Sequence, residues 1–256
     1  KSERTIRMAK LAFNRIWLFL PCLNEAGNLA GIVTAIQQQK IPSLHILLVV
    51  DKSTDGTEAI ALKLQKQYPD QVVFWQHPGP SSRAIAGKDA FSYCLKQKAD
   101  VIIEMDADFS HNPAYLPSML NELVNSQVDV VLGSRFLPGA SDSDRSAFRT
   151  FISRLSGIVF RIILGIKLTD MGSGFKAYKS QALASIKPDQ LFSRKGLAIS
   201  MESIFRVLKN GYRVKEVPIV FTDRQVGESK LSWKDFFEPI FICFKLVLQL
   251  GRFHEK

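Results

Sequence analysis

Cysteine is scarce in this 256-residue chain, and the three present, Cys22, Cys94 and Cys243, are scattered. They form an odd set with no metal-ligand spacing, so neither a disulfide framework nor a zinc cluster is needed to explain the fold, and ordinary buried thiols in a reducing compartment are expected. No apolar stretch reaches the roughly 20 residues of a spanning helix, and no secretory signal opens the chain. The first residue is Lys1 rather than Met, which leaves an anchor elsewhere in a longer chain open. Internal repeats, low-complexity linkers and RNA- or DNA-binding motifs are also missing, so no nucleic-acid partner is expected. With 46% hydrophobic residues, the chain has material for a buried core without covalent or metal staples.

Charge is unevenly placed. Residues 1–134 hold 13 Lys and Arg against 13 Asp and Glu, whereas residues 135–256 hold 21 against 11 and carry the whole net charge of +10. A neutral front and a basic back suggest that the back half meets something anionic. Solvated surface charge would give the same count.

The front half alternates short Val/Ile/Leu-rich runs, at Ile16–Leu20, His45–Val50, Val72–Trp75 and Val101–Met105, with helical spacing near 24–38, 55–68, 83–98 and 112–125. Such runs predict strands buried on both faces, and the alternation predicts an α/β fold with a mostly parallel, doubly wound sheet. Ligands of such sheets bind beyond the carboxyl ends of the strands. Three polar groups follow strands there: Pro21, Asn24 and Glu25; Asp51, Ser53 and Asp55; and Asp106 with Asp108. In the back half, residues 151–168 and 232–253 have basic amphipathic spacing, with Phe237, Phe241, Phe244 and Leu248 on one side of the latter. Such helices suit either a core or a bilayer interface.

Asp106-Ala107-Asp108 offers two carboxylates at a strand end, which can share one hard cation and present it to diphosphate oxygens. Asp51 can accept hydrogen bonds from nucleobase N–H groups, while Asp55 suits a helix cap. The loop holding Arg224, Gly227, Ser229 and Lys230 suits phosphate capture.

Taken together, LPCLNEAGNL (20–29), VDKSTDGT (50–57), MDADFSHNP (105–113), VVLGSRF (130–136), TDMGSGFKAY (169–178) and EVPIVFTDRQVGESKL (216–231) resemble the inverting, GT-A-fold (Rossmann-like) glycosyltransferases of family 2. Within them, the last two segments resemble the dolichol-phosphate and polyprenyl-phosphate mannose synthases. The resemblance implies a catalytic domain over residues 1–231, including an interfacial helix near 151–167, and a membrane-associated helix over 232–256. It places Pro21, Asn24, Glu25 and Asp51 in the nucleoside pocket, and Asp106 and Asp108 on Mg2+ or Mn2+. Arg224 and Lys230 would hold the donor diphosphate. Arg135, with Arg149 or Arg145, would hold the acceptor phosphate, and Ser173 and Gly174 would shape the acceptor side. Glu202 would contact the donor sugar or orient a cation. The implied reaction moves mannose from GDP-mannose to a polyprenyl phosphate at the cytoplasmic face of a membrane whose surface is anionic. No dedicated base is expected, because a lipid phosphate with a second pKa of about 6 is already largely dianionic at neutral pH.

The chain departs from the family at three places. Val50 stands where the first of two aspartates is usual, Lys52 replaces a common Gly, and HPGPSSRAIAGKDAF (77–91) lacks the familiar Arg–Gly–Lys run, though Arg83 and Lys88 supply charge. A UDP-sugar donor or a saccharide acceptor is the competing expectation on the same fold, and a non-catalytic membrane- or anion-binding module is a further one.

Overall fold

A computed structural model describes residues 13–80, 82–142, 147–194, 196, 198–222 and 237–253, with side chains from Thr150 onward in the helix that starts at 147 and from Glu238 onward in the last helix. In chain order the elements are β1 (Ile16–Cys22), α1 (Ala26–Gln37), β2 (Leu44–Val50), α2 (Thr57–Gln67), β3 (Val72–Gln76), α3 (Arg83–Lys96), β4 (Val101–Glu104), α4 (Leu116–Asn125), β5 (Val130–Ser134), α5 (Ala147–Leu164), β6 (Lys176–Lys179), α6 (Ser180–Ser185), α7 (Ala198–Lys209), β7 (Val214–Pro218) and α8 (Phe237–Leu250). The predicted front-half strands and helices all form, with ends displaced by a few residues.

The seven strands are ordered β3-β2-β1-β4-β6-β5-β7. All pairings are parallel except those of β6, which runs antiparallel between β4 and β5. The two-residue strand period divides each central strand between two cores. Ile16, Leu18 and Leu20 face the side covered by α1, α2 and α4, while Trp17 and Phe19 face α3 and α7. Burial on both faces explains why these strands read as unbroken apolar runs. Val50 lies in the first core with no exposed surface, so the aspartate expected there has become a packing residue.

The strand order sets the position of the site. Beyond β1 the chain winds to β2 and β3 on one side and to β4 on the other, opening a crevice at the carboxyl ends of β1 and β4. Because β6 is antiparallel, its entry segment, residues 173–175, arrives at this same edge. Residues leaving β5 and β7 also end there.

The back half packs on the second core. Helix α8 buries Ile242, Cys243 and Leu246, with Cys243 Sγ 3.8 Å from Met201 Sδ of α7. It also packs against α5, and Arg252 donates to the Ile162 carbonyl at 2.7 Å. Both helices keep apolar residues in water: Phe151, Leu155, Ile158 and Ile162 on α5, and Phe241 (69% exposed), Phe244 and Leu248 (85%) on α8. Among the described residues, no helix is long and apolar enough to cross a membrane.

Candidate active site

The segments after β1 and β2 are tied together by side chains rather than by sheet bonds. Asn24 adopts a left-handed φ of 53°, a conformation that Asn tolerates well. Its Oδ1 accepts from Thr54 N at 2.8 Å, and its own N–H donates to Ser53 Oγ at 3.0 Å. Glu25 N–H donates to Thr57 Oγ1 at 2.8 Å, and the Glu25 carboxylate accepts from Asn28 at 2.9 Å. Asp55 does more than the single cap expected of it. It accepts from Thr57 N at 3.0 Å and from Ala26 N at 2.9 Å, the first residues of α2 and α1. One carboxylate thus serves two helix N-termini, where negative charge is favoured. Burial pushes its pKa up, but hydrogen bonds from Thr57 and Ala26 outweigh this and hold it below the ordinary value. Pro21 lies within β1, opposite Val49. Asp51 is buried at the end of β2, where its Oδ1 meets His77 Nδ1 at 2.7 Å.

At the end of β4, Asp106 bonds the guanidinium of Arg83, the first residue of α3. Arg83 also approaches Glu104 at 3.5 Å. Burial alone would lower its proton affinity, but Asp106, Glu104 and Asp108 reverse this and keep it charged. Asp108 Oδ1 accepts from Ser110 N at 3.1 Å and Ser110 Oγ at 2.6 Å, which fixes the turn that follows. His111 Nδ1 accepts from Asp106 N at 3.0 Å, and its ring stacks on Phe175. Burial, with Arg83 and Arg135 nearby, lowers the His111 pKa against the pull of both aspartates. Beneath Arg83 lies a fully buried pair, Lys176 and Glu104, at 2.9 Å. Lys176 also donates to the Ser173 carbonyl at 2.8 Å. A Cβ on Gly174 would collide with the Arg83 guanidinium and lie 3.3 Å from His111 Cε1. A larger residue there would push the Arg83 guanidinium from its place beside Asp106.

Arg135, just after β5, is held by Asp170. Its Nε and Nη2 each lie 2.7 Å from one carboxylate oxygen, and its backbone N–H donates to the same group at 3.0 Å. Phe136 and Phe221 lie 5.2 and 5.3 Å from the guanidinium carbon. Behind Asp170, the Glu216 carboxylate accepts from Thr169 N, Thr169 Oγ1 and Asp170 N at 2.8 to 2.9 Å. Burial works against the charge on Arg135, but Asp170, with smaller help from Asp142 and Asp106, outweighs it and keeps the guanidinium charged.

The other expected site residues divide. Ser173 is buried, and its hydroxyl accepts from Phe175 N at 3.2 Å, so its hydroxyl braces the turn that enters β6. Glu202 lies in α7 with no exposed surface, and it accepts from Phe192 N, Ser193 N, Ser193 Oγ and Arg206 Nε at 2.6 to 2.9 Å. Glu202 thus braces the 192–193 turn and holds Arg206 from within α7. Lys88 donates to the Leu191 carbonyl at 3.3 Å. Arg224, Lys230 and Arg145 lie outside the described residues, as does the side chain of Arg149.

His77, Asp89, Asp170, Glu216 and the Glu104–Lys176 pair had no role assigned from the sequence. For Glu104 a signal existed: a charged residue inside the buried run Val101–Met105 must have a partner.

Two carboxylates close together after a strand are the kind of oxygen donors that a hard divalent cation takes. Among the described residues, no cluster of three or more His, Cys, Asp or Glu side chains could hold a metal alone. Magnesium-type sites commonly pair one or two carboxylates with substrate phosphates and water. Arg83 shows that this pair of carboxylates is balanced by positive charge.

A mostly parallel seven-stranded sheet flanked by helices, with polar loops, an Asp-x-Asp pair and an arginine at the carboxyl edge of its strands, is the architecture of a GT-A-type glycosyltransferase. The chain belongs to glycosyl transferase family 2, whose description matches residues 17–186. It is 34% identical over 227 residues to a polyprenol monophosphomannose synthase of Mycolicibacterium smegmatis, covering 89% of this chain and 84% of the relative. It is also 34% identical over 220 residues to an undecaprenyl-phosphate mannosyltransferase of Micrococcus luteus, covering 85% and 88%. Among solved structures, glucosyl-3-phosphoglycerate synthase of Mycobacterium tuberculosis, in complex with Mn2+, UDP and phosphoglyceric acid, matches with a TM-score of 0.68 at 16% identity. That match covers 100% of this chain and 84% of the other, and at this identity it shows the fold alone.

Proposed function

We propose that this glycosyltransferase moves mannose from GDP-mannose to a polyprenyl phosphate, with inversion, at the cytoplasmic face of a membrane. The observation that carries the reading is that Asp106 and Asp108 after β4 and Arg135 after β5 lie at the same carboxyl edge of the sheet, in a chain 34% identical over 227 and 220 aligned residues to two polyprenyl-type mannosyltransferases. Asp106 and Asp108 would hold Mg2+ or Mn2+, which supplies charge neutralisation to the leaving diphosphate. Pro21, Asn24, Glu25 and Asp51 border the nucleoside side, and Arg135 receives the acceptor phosphate. Arg224 and Lys230 act on the donor diphosphate and Arg149 on the acceptor. A dianionic phosphate needs positioning rather than deprotonation, so fixed cations suffice. The exposed apolar residues of α5 and α8 would bring the crevice to an anionic bilayer, where the acceptor resides.

The test is transfer from radiolabelled GDP-mannose to a short polyprenyl phosphate, with Mg2+, with Mn2+ and with EDTA. Label in the lipid phase that depends on metal supports the proposal. Label from UDP-glucose but not from GDP-mannose would overturn the donor, and transfer only to saccharides would overturn the acceptor.

A further inference from the structure

His77 directly follows β3, and its side chain has no solvent exposure. Both ring nitrogens lie on carboxylates: Nδ1 is 2.7 Å from Asp51 Oδ1, and Nε2 is 2.9 Å from Asp89 Oδ2. Trp75 stands edge-on with ring centroids 5.9 Å apart. Gly79 closes over the ring, since a Cβ there would lie 2.9 Å from His77 Cε1. The imidazole is therefore boxed in as well as bonded.

A neutral imidazole has one donor and one acceptor, whereas an ionised carboxylate only accepts. Two ionised carboxylates are both satisfied only by a ring carrying both protons. Such charge-assisted bonds are about twice as strong as neutral ones. They also join three segments: Asp51 after β2, His77 after β3, and Asp89 within α3. The same α3 begins at Arg83, which bonds Asp106. The nucleoside side and the metal side of the crevice are thus pegged to one helix.

We infer that His77 is a positioning residue for the donor nucleotide, holding the Asp51 carboxylate in one orientation and tying it to α3 through Asp89. The inference rests on the reading of Asp51 as a nucleobase contact. It assigns His77 no direct contact with the sugar or the acceptor.

GDP binding with Mg2+ present, and donor kinetics, would be compared for His77→Gln, Asp89→Asn and Asp51→Asn. His77→Gln is expected to weaken GDP binding and raise the donor KM about 10-fold, the loss of one charge-assisted bond. The expected change in kcat and in acceptor KM is no more than about 2-fold. Asp89→Asn moves the same quantities in the same direction by less, and its side chain, 41% exposed, can be changed without opening the core if His77→Gln fails to fold. The 15N signature of His77 in the unaltered protein should show both ring nitrogens protonated. A neutral ring, or a lower melting temperature with unchanged GDP affinity, would overturn the inference. Should Asp51→Asn leave GDP affinity unchanged, the nucleobase reading and this inference fall together. Should Asp51→Asn weaken GDP binding while His77→Gln and Asp89→Asn do not, only the role of His77 falls.

Discussion

Arg135 and Asp170 meet in a two-point ion pair, with Nε and Nη2 each 2.7 Å from a separate carboxylate oxygen. Lysine cannot reproduce this fork, because its single ammonium offers no planar pair of donors. Arg135→Lys should therefore lower kcat/KM for the acceptor by about 10- to 100-fold, the scale of a lost charge-assisted bond. Asp170→Asn should keep one of the two contacts and fall between the variant and the unaltered enzyme. Donor KM should stay unchanged in both, and varying each substrate separately checks this. A rise in donor KM with no acceptor effect would place Arg135 on the other side of the crevice.

Asp55 links the first turns of α1 and α2, so its removal should be felt as stability before it is felt as catalysis. Asp55→Ala should cost about 1 kcal/mol for each cap lost. The sign with pH follows from the lowered folded-state pKa. The contribution is fully present above the unfolded carboxyl value near pH 4 and is lost as pH falls through the lower, folded value. Denaturant titrations at pH 7 and below pH 3 should show the gap between Asp55→Ala and the unaltered chain closing in acid. A gap that persists in acid would mean the loss comes from packing.

Much of this architecture could be seen in residue patterns, for an identifiable physical reason. Strands buried on both faces write continuous apolar runs, and Asp51, Asp106 and Asp108 are conspicuous because they follow such runs directly. The pairings were not visible, because they join residues far apart in the chain: Arg135 with Asp170, Asp51 with His77, and Glu216 with residues 169 and 170. Periodicity reports the face on which a residue lies and says nothing of its partner across a crevice. Glu202 shows the reverse case. A carboxylate in a suggestive position along the chain turned out to lie on the core face of α7, where backbone N–H groups and Arg206 use its oxygens.

That geometry makes Glu202 testable. Glu202→Ala would strand Arg206 and two backbone donors, and should cost about 3 kcal/mol of stability, the lower end of what breaking a buried pair costs. Glu202→Gln keeps the shape and some hydrogen bonds and should cost less. In both, donor KM measured well below the melting temperature should match that of the unaltered enzyme. A variant that melts normally yet loses donor affinity would assign Glu202 to the sugar.

The exposed apolar faces of α5 and α8 call for a partner, since Phe151 and Ile162 on one and Phe241, Phe244 and Leu248 on the other lie open to water. A bilayer interface is the occupant that also suits the basic back half, with 21 Lys and Arg against 11 Asp and Glu. Apolar insertion and electrostatic attraction respond differently to salt. Screening shortens the Debye length from about 10 Å at 0.1 M to about 3 Å at 1 M, whereas the apolar contribution persists. The chain should therefore sediment with vesicles containing anionic lipid, partly release at high salt, and bind neutral vesicles weakly. The triple variant Phe241→Ser, Phe244→Ser, Leu248→Ser should lose much of the salt-resistant binding, so that high salt releases it more completely than the unaltered chain. It should retain turnover of a short acceptor dispersed in detergent, because none of the three residues lines the crevice. Full binding by that variant would assign these faces to another partner, and lost turnover in detergent would show that α8 supports the catalytic fold itself.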